Sequence, residues 1–541
     1  MKVKNGRELG LSFWKKDKEI LEAVKTGRCL IKMPTGTGKT TQIGQLLHEA
    51  GYTKQGQVYI SVPTRVLAAE LARRVAAEMG VELGSLVGYQ VRGEQKVSSK
   101  TKIIFMTEGT LRGKIRRNPL LAGVRVVILD EFHQRSLMGD FNAALIERAQ
   151  DQGSNTALVL MSATVDTDKL ANHFNCKVVD GSDLDRTYPI KREFIEYDGD
   201  RYEAAADFAE KMLSIGQGNG LIFMPGKAEI ETTIQKLLAK RFGEEVRILP
   251  LHSELQGKDR SEPFEDYDGV TITVATNIVE TGATLPGIGW VCDSGLAKQV
   301  AYNPLSDISS LKVRKIARDR IEQRVGRCGR QRDGIAGCLY SEEDYESRPA
   351  ETQPEIFLLP LRQVVIIIKS LGLSRIGKPL RLIDSPDKTN WKQAKLQLQQ
   401  FGFVEKDDEA NITELGRKAV ELGCDPREAV MLLTAVDLGC AREMAIAISA
   451  LQSKRLLISP ENSEDKAYAA RAHNAFTFIS SSDAWIAVQI VRNAEKRKAD
   501  QSLGSWCKEN WISYRSLREV MVATKQLLFD LRQAGLTVNE E

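Results

Sequence analysis

An α/β fold of two parallel-sheet domains in tandem, followed by a mainly helical C-terminal third, is what these 541 residues predict. Three observations lead there. Short apolar runs alternate with helical patterns, as βαβ units require. The alternation restarts after about residue 185. It then ceases near residue 350, where ESRPAETQPEI is polar and Pro-containing, as expected of a boundary.

In chain order, CLI (29–31) precedes a Gly-rich turn, and QVYISV (57–62) precedes the helical stretch VLAAELARRVAAEMG. TKIIFM (101–106), VRVVIL (124–129) and ALVLM (157–161) read as further strands of the first domain. GLIFM (220–224), VRILPL (246–251), VTITVA (270–275) and WVCD (290–293) read as strands of the second. LRQVVIIIKSLG fits either element: Val364 to Ile368 are β-branched, while Leu361, Val364, Val365 and Ile368 keep helical spacing. WKQAKLQLQQFGFVEKDDEANITELGRKAVELG suggests helix, short hairpin, helix, and the pattern is helical from Asp425 almost to the end. Trp506, Trp511 and Tyr514 are spaced for one helix and expected in a core.

Composition is 42% hydrophobic and 27% charged, enough for large cores. A net charge of +4 excludes nucleic-acid binding by bulk charge alone but leaves room for a local basic groove. The 8 cysteines include no CxxC pair, so neither a zinc ribbon nor a disulfide framework is indicated. The N-terminus has no apolar signal segment, and the longest apolar run, near residue 365, is too short to span a bilayer. A cytoplasmic protein is expected.

MPTGTGKTT (33–41) follows a strand and opens a helix. Gly36 and Gly38 let the backbone fold tightly so that its N–H groups face phosphate oxygens. Lys39 would reach the β- and γ-phosphates, and the Thr40 hydroxyl would ligate Mg²⁺. The first position of GxxxxGK[ST] is Met33 rather than Gly, so only the GxGK[ST] core survives. Such a loop needs a carboxylate at the end of a neighbouring strand. VVILDEFHQRSL (126–137) supplies Asp130 for the metal and Glu131 to polarise the attacking water. A site of protein ligands alone is disfavoured, because no HExxH-like spacing accompanies these residues.

GTGKTT, DEFH, SAT (162–164) and QRVGRCGR (323–330) occur in that order, flanked by VGYQVRGE, LIFMPG, TNIVETGATLPGI and DSGLAKQVAYNPLSDISSL. Together they resemble the DEAH-box branch of superfamily 2 helicases, and DEFHQRSL resembles some bacterial members. LGRKAVELGCDPREAVMLL and WCKENWISYRSLREV are similar to that family's winged-helix and ratchet-type helical domains. The resemblance implies RecA-like domains at 1–182 and 183–350, a winged helix at 351–420 and a ratchet-like helical bundle at 421–541. It implies ATP, or another NTP, bound with Mg²⁺ by Gly36, Thr37, Gly38, Lys39, Thr40, Thr41 and Asp130. Glu131 would be the general base, with Gln323 positioning water and Arg327 and Arg330 serving as fingers. His133, Ser162 and Thr164 would couple the nucleotide site to the inter-domain cleft, and Arg74 and Phe264 would sandwich the base. Arg65, Thr107, Gly226, Thr276 and Asn277 would hold the backbone of single-stranded RNA without reading its sequence, and Lys298 to Lys315 would form a duplex-parting hairpin.

The implied activity is an ATP-driven RNA helicase or remodeller, monomeric, moving 3′ to 5′. Two alternatives remain: a nucleotide-switched RNA clamp, and a DNA helicase, since the phosphate contacts need no 2′-OH. Gly282 and Pro286 stand where relatives carry Ser and an acidic residue, which favours the clamp. The sequence ends near the point where family members begin an OB-fold, which puts activation by G-patch proteins in question.

Overall fold

The computed structural model describes residues 6–538 except 35, 164–166, 185–187, 256–258, 260, 281–284, 331, 373–379, 407–410, 454, 461–462, 478–481 and 498–502. Thr164 and Gly282 therefore lie outside the described residues. Two compact units result: residues 1–359 with 380–386, and residues 360–379 with 387–541.

The first unit contains both large sheets. The first is built from β1 (Arg28–Lys32), β2 (Gln57–Val62), β3 (Val87–Val91), β4 (Glu94–Lys96), β5 (Ile103–Thr107), β6 (Val124–Leu129), β7 (Ala157–Ser162) and β8 (Lys177–Asp180). Its order is β4-β3-β5-β2-β6-β7-β1-β8. Every pairing is parallel except that of β4 with β3. The second sheet uses β9 (Ile190–Phe194), β10 (Asn219–Phe223), β11 (Val246–Leu251), β12 (Val270–Ala275), β13 (Ile288–Asp293) and β16 (Gly334–Cys338), in the order β11-β12-β10-β13-β16-β9, all parallel. β14 (Leu296–Asn303) and β15 (Ile308–Lys315) form a separate antiparallel hairpin.

The central strands read as near-continuous apolar runs because helices cover both faces of a parallel sheet. In β2 every residue after Gln57 is buried, and β7 is buried throughout. Valine and isoleucine on the pleat pack against Ile20, Ile43, Leu47 and Val75 of the flanking helices. In the second sheet the Trp290 indole lies across β10 and donates from Nε1 to the Gly218 carbonyl at 2.9 Å. Any Cβ at Gly220 would sit 2.0 Å from that ring, so the strand needs glycine there.

Every strand read from the sequence is present, and the hairpin runs from Leu296 to Lys315. β3, β4, β8, β9 and β16 were not anticipated. They are sheet-edge or Gly-containing strands, such as IKREF and GIAGC, whose apolar signal is diluted. LRQVVIIIKSLG resolves as a helix, Arg362–Ser370, because Leu361, Val364, Val365 and Ile368 share one buried stripe. The spacing of Trp506, Trp511 and Tyr514 misled. Trp511, at φ 53°, separates the helices Leu503–Glu509 and Tyr514–Gln533, so only Trp506 is core and Tyr514 is exposed.

The second unit is helical. Helices Arg362–Ser370, Lys388–Gln400 and Glu414–Leu422 accompany an antiparallel bridge between Val404 and Ile412. A bundle from Pro426 onward packs around Ile446, Ile490, Trp506 and Val520. No helix of the described residues is long and apolar enough to cross a membrane.

Candidate active site

In a parallel sheet every strand delivers its following loop to the same edge, and ligands collect outside the carboxyl ends. Several of the sequence motifs sit there, while QRVGRCGR lies on the helix Arg318–Val325 and the turn that follows it. The phosphate loop follows β1, Arg65 follows β2, Thr107 ends β5, Asp130 follows β6 and Ser162 ends β7. In the second sheet Gly226 follows β10, and Thr276 and Asn277 follow β12.

Gly36 and Gly38 adopt φ of 91° and 90°, which only glycine takes without strain. Gly38 caps the helix Lys39–Glu49, and a Cβ there would lie 2.6 Å from Leu11. Lys39 and Thr41 are buried at the start of that helix, and Thr37 is buried with its hydroxyl on the Pro34 carbonyl at 3.0 Å. The Thr40 hydroxyl donates to Asp130 Oδ2 at 2.6 Å, joining the segments after β1 and β6, which flank β7. A hydroxyl and a carboxylate converging beside a buried lysine are a hard-oxygen pair suited to Mg²⁺.

Burial and the adjacent Glu131 carboxylate hold Asp130 above the ordinary carboxylate range. Burial acts on Glu131 the same way, but Lys39, His133 and Arg327 outweigh it and keep Glu131 below its usual value, hence ionised. Glu131 stands at φ 53° and Arg135 at φ 46°, two non-glycine residues in left-handed backbone on either side of the 3-10 turn Phe132–Gln134. That turn brings His133 Nε2 to 3.2 Å from Glu131 Oε2. His133 Nδ1 accepts the Ala163 N–H at 3.5 Å, beside buried Ser162. Burial lowers the pKa of His133, which favours the neutral ring between the Glu131 carboxylate and the loop after β7.

Gln323 and Arg327 are buried on or just past the helix Arg318–Val325. Arg327 donates from Nε to the Glu280 carbonyl at 3.1 Å, and NH2 reaches the same oxygen. Burial and the neighbouring Arg330 push its pKa down to about 9, while Glu131 and Glu280 pull the other way. Two neighbouring guanidinium groups, one buried and one half-buried, favour an incoming anion. Sequence reasoning missed what anchors them. Arg324 is fully buried, bound to Glu280 Oε2 at 3.1 Å and Asp293 Oδ1 at 2.7 Å, and lies 4.8 Å over the Phe223 ring. Arg320 joins Glu280 from the preceding turn, and the Tyr340 hydroxyl donates to Asp293 Oδ2 at 3.1 Å. The i, i+4 spacing of Arg320 and Arg324 along one helix face was the available signal.

The other expected residues have these settings. Arg74 is tied to buried Glu78 at 2.9 Å, Phe264 is exposed, and no cation–π contact joins them among the described residues. Of the nucleic-acid residues, Arg65 and Asn277 are exposed, Thr107 and Thr276 are half-buried, and Gly226 is buried as the cap of Lys227–Ala239. Thr107 and Thr110 share a hydroxyl–hydroxyl contact of 3.1 Å. Cys328 is core, with its Sγ 2.7 Å from where a Gly334 Cβ would lie.

Comparison with known proteins bears on this arrangement. Residues 15–172 match the DEAD/DEAH box helicase family, 204–332 the helicase conserved C-terminal domain, and 425–509 the ratchet-like helicase associated domain HA2. ATP-dependent RNA helicase HrpA of Escherichia coli is 31% identical over 541 residues, covering 97% of this chain and 41% of HrpA. ATP-dependent RNA helicase DHX33 of Drosophila melanogaster is 33% identical over 514 residues, 92% of this chain and 72% of that protein. The crystal structure of the Escherichia coli DEAH/RHA helicase HrpB superposes with a TM-score of 0.75 at 29% identity, over 90% of this chain and 60% of that one. The chain thus spans about two-fifths of the length of the bacterial HrpA proteins it matches, 39% and 41% of theirs. With phosphate loop, DEFH and QRVGRCGR on two parallel sheets and identity sustained along nearly the whole chain, it belongs to the DEAD/DEAH box helicases, in their DEAH/RHA-type branch.

Proposed function

We propose that this chain hydrolyses ATP, with other NTPs accepted, and uses the cycle to move along single-stranded RNA and part or remodel what it meets there, 3′ to 5′. The observation that carries the reading is the meeting of two half-sites. Thr40 and Asp130 converge on one sheet, and Arg327, from the other, stands close enough to Glu131 for their charges to interact. Gly36, Thr37, Gly38, Lys39 and Thr41 would cradle the triphosphate, and Thr40 and Asp130 would hold Mg²⁺. The bound cation would neutralise charge on the phosphate oxygens. Glu131, kept ionised, would take the proton of the attacking water, which Gln323 would orient. Arg327 and Arg330 would meet the charge that builds on the γ-phosphate. His133, Ser162 and Thr164 would pass the state of that site to the loop after β7. Arg74 and Phe264 would sandwich the base.

For RNA, Arg65, Thr107, Gly226, Thr276 and Asn277 would contact phosphates, consistent with strand ends that expose hydroxyl, amide and backbone N–H groups. The proposed division is RecA-like 1–182 and 183–350, winged helix 351–420, and ratchet-like bundle 421–541. The three helices and the antiparallel bridge between 362 and 422 support the winged-helix assignment. The proposed setting is the cytoplasm, consistent with eight free cysteines, most of them buried. The proposed working form is a monomer.

Steady-state ATPase with and without single-stranded RNA, alongside Arg327→Ala, tests the reading. Strong stimulation by RNA is expected, and the variant should lose ~10³-fold or more of it, the usual worth of an arginine finger. Weak turnover indifferent to both would put the clamp ahead. Matched RNA and DNA strands in competition decide the nucleic acid.

A further inference from the structure

The segment directly after DEFH is bonded from several directions. Ser136 caps the helix Leu137–Asp151, accepting the Gly139 N–H at 2.9 Å, and its hydroxyl donates to Glu108 Oε1 at 2.5 Å. Asn142, in the same helix, donates from Nδ2 to the Glu108 carbonyl oxygen at 2.9 Å. The packing leaves no slack. A Cβ on Gly139 would fall 2.6 Å from Ser136 Oγ and 3.0 Å from Glu108 Oε1. Arg135 is held by Asp140 at 2.9 Å and by Asp384, and its carbonyl accepts the Glu355 N–H at 3.1 Å. Glu355 Oε2 in turn accepts the Leu137 N–H at 2.9 Å.

Glu108 sits where two parts of the proposed cycle adjoin. It follows Thr107, the last residue of β5, and opens the helix Glu108–Arg117, so it moves with the Thr107–Thr110 hydroxyl pair. Through Ser136 it also grips the stretch only five residues beyond Glu131. The intervening backbone is left-handed at Glu131 and Arg135, so it has few conformations in which to absorb a shift of Ser136. The bonds thus form a continuous route from Thr107 through Glu108 and Ser136 to the segment that carries Glu131.

We propose that Glu108 is a positioning residue for hydrolysis. Through its hydrogen bond to Ser136 it transmits the engagement of single-stranded RNA at Thr107 and Thr110 to the placement of Glu131. It acts through Ser136 and does not touch ATP. The inference rests on the ATPase and RNA reading above and adds the physical link between the two sites.

The test measures kcat and KM for ATP with and without single-stranded RNA in the full chain, for wild type, Glu108→Ala, Glu108→Gln, Ser136→Ala and the Glu108→Ala/Ser136→Ala double variant. Glu108→Ala and Ser136→Ala should each cut RNA stimulation by about tenfold, within the range typical of coupling between sites. RNA-free kcat and the KM for ATP should stay at wild-type values. The double variant should be no worse than either single, since both remove one bond. Glu108→Gln keeps an acceptor oxygen for Ser136 and should restore stimulation. A cap with a purely structural role would lower basal and stimulated turnover together, or neither, and the glutamine would offer no selective rescue; either result overturns the proposal. Additive losses in the double variant overturn it as well. A wild-type enzyme whose hydrolysis ignores RNA defeats both this inference and the functional reading. Normal wild-type stimulation retained in Glu108→Ala defeats this inference alone.

Discussion

Glu108 holds its proton more tightly in the folded protein than in the unfolded chain. Burial raises its pKa from 4.5 to about 7, the Ser136 hydroxyl offsets part of that, and the Glu355 and Asp140 carboxylates add to the rise. The sign follows from proton counting. Between pH 4.5 and about 7 the folded state binds more protons at this position, so stability falls as pH rises through that window. Glu108→Gln has nothing to ionise. Its stability relative to wild type should therefore increase from pH 5 to about 7 and level off above it, as urea melts across the pH series would read. Arg135, paired with Asp140 and Asp384, faces the same cluster, and its charge is constant across that range. A gap that stayed constant with pH would mean that Glu108 is ionised throughout the range.

Among the described residues the β14–β15 hairpin forms a two-stranded sheet of its own. Its registered pairs run from Leu296 opposite Lys315 to Asn303 opposite Ile308, and all of β15 is exposed. Leu305, Ile308 and Leu311 present apolar surface to solvent, 77% exposed at Leu305, beside Lys312, Arg314 and Lys315. An antiparallel ribbon with apolar and cationic residues on the outside, unpaired on both edges among the described residues, gains little for folding from its outer half. Replacing residues 300–311 by a two-residue Asn-Gly turn, which suits the flanking pair Gln299–Lys312, should leave RNA-stimulated ATPase intact. Strand displacement should fall by about tenfold or more, equivalent to ~1.4 kcal/mol of transition-state stabilisation. Displacement undiminished in the shortened protein would remove the hairpin from the mechanism. Lys298, packed over Gly226 at the base of the ribbon, is kept in that variant.

Across the whole molecule, what could be read in the sequence was what repeats locally. The apolar runs of β1, β2, β6, β7, β10, β12 and β13 announce buried parallel strands, and the phosphate loop carries its own turn chemistry in Gly36 and Gly38. Edge strands such as β9 and the Gly-rich β16 were not legible, because their identity comes from neighbours far away in the chain. The same is true of Arg324, whose partners Glu280 and Asp293 lie 44 and 31 residues away. The approach of Arg327 to Glu131 likewise requires the tertiary fold. The left-handed backbone at Glu131 has a consequence for how such a protein fares under selection. A side chain in that conformation costs roughly 1–2 kcal/mol, and glycine or asparagine would relieve it. Glu131→Gly should therefore raise the melting temperature while abolishing turnover, a pairing that thermal melts and the ATPase assay would expose. A melting temperature at or below wild type would show that the carboxylate's contacts outweigh its strain. A library of variants sorted only for heat resistance would drift towards inert proteins at this position, and only a growth requirement for the activity would keep the glutamate.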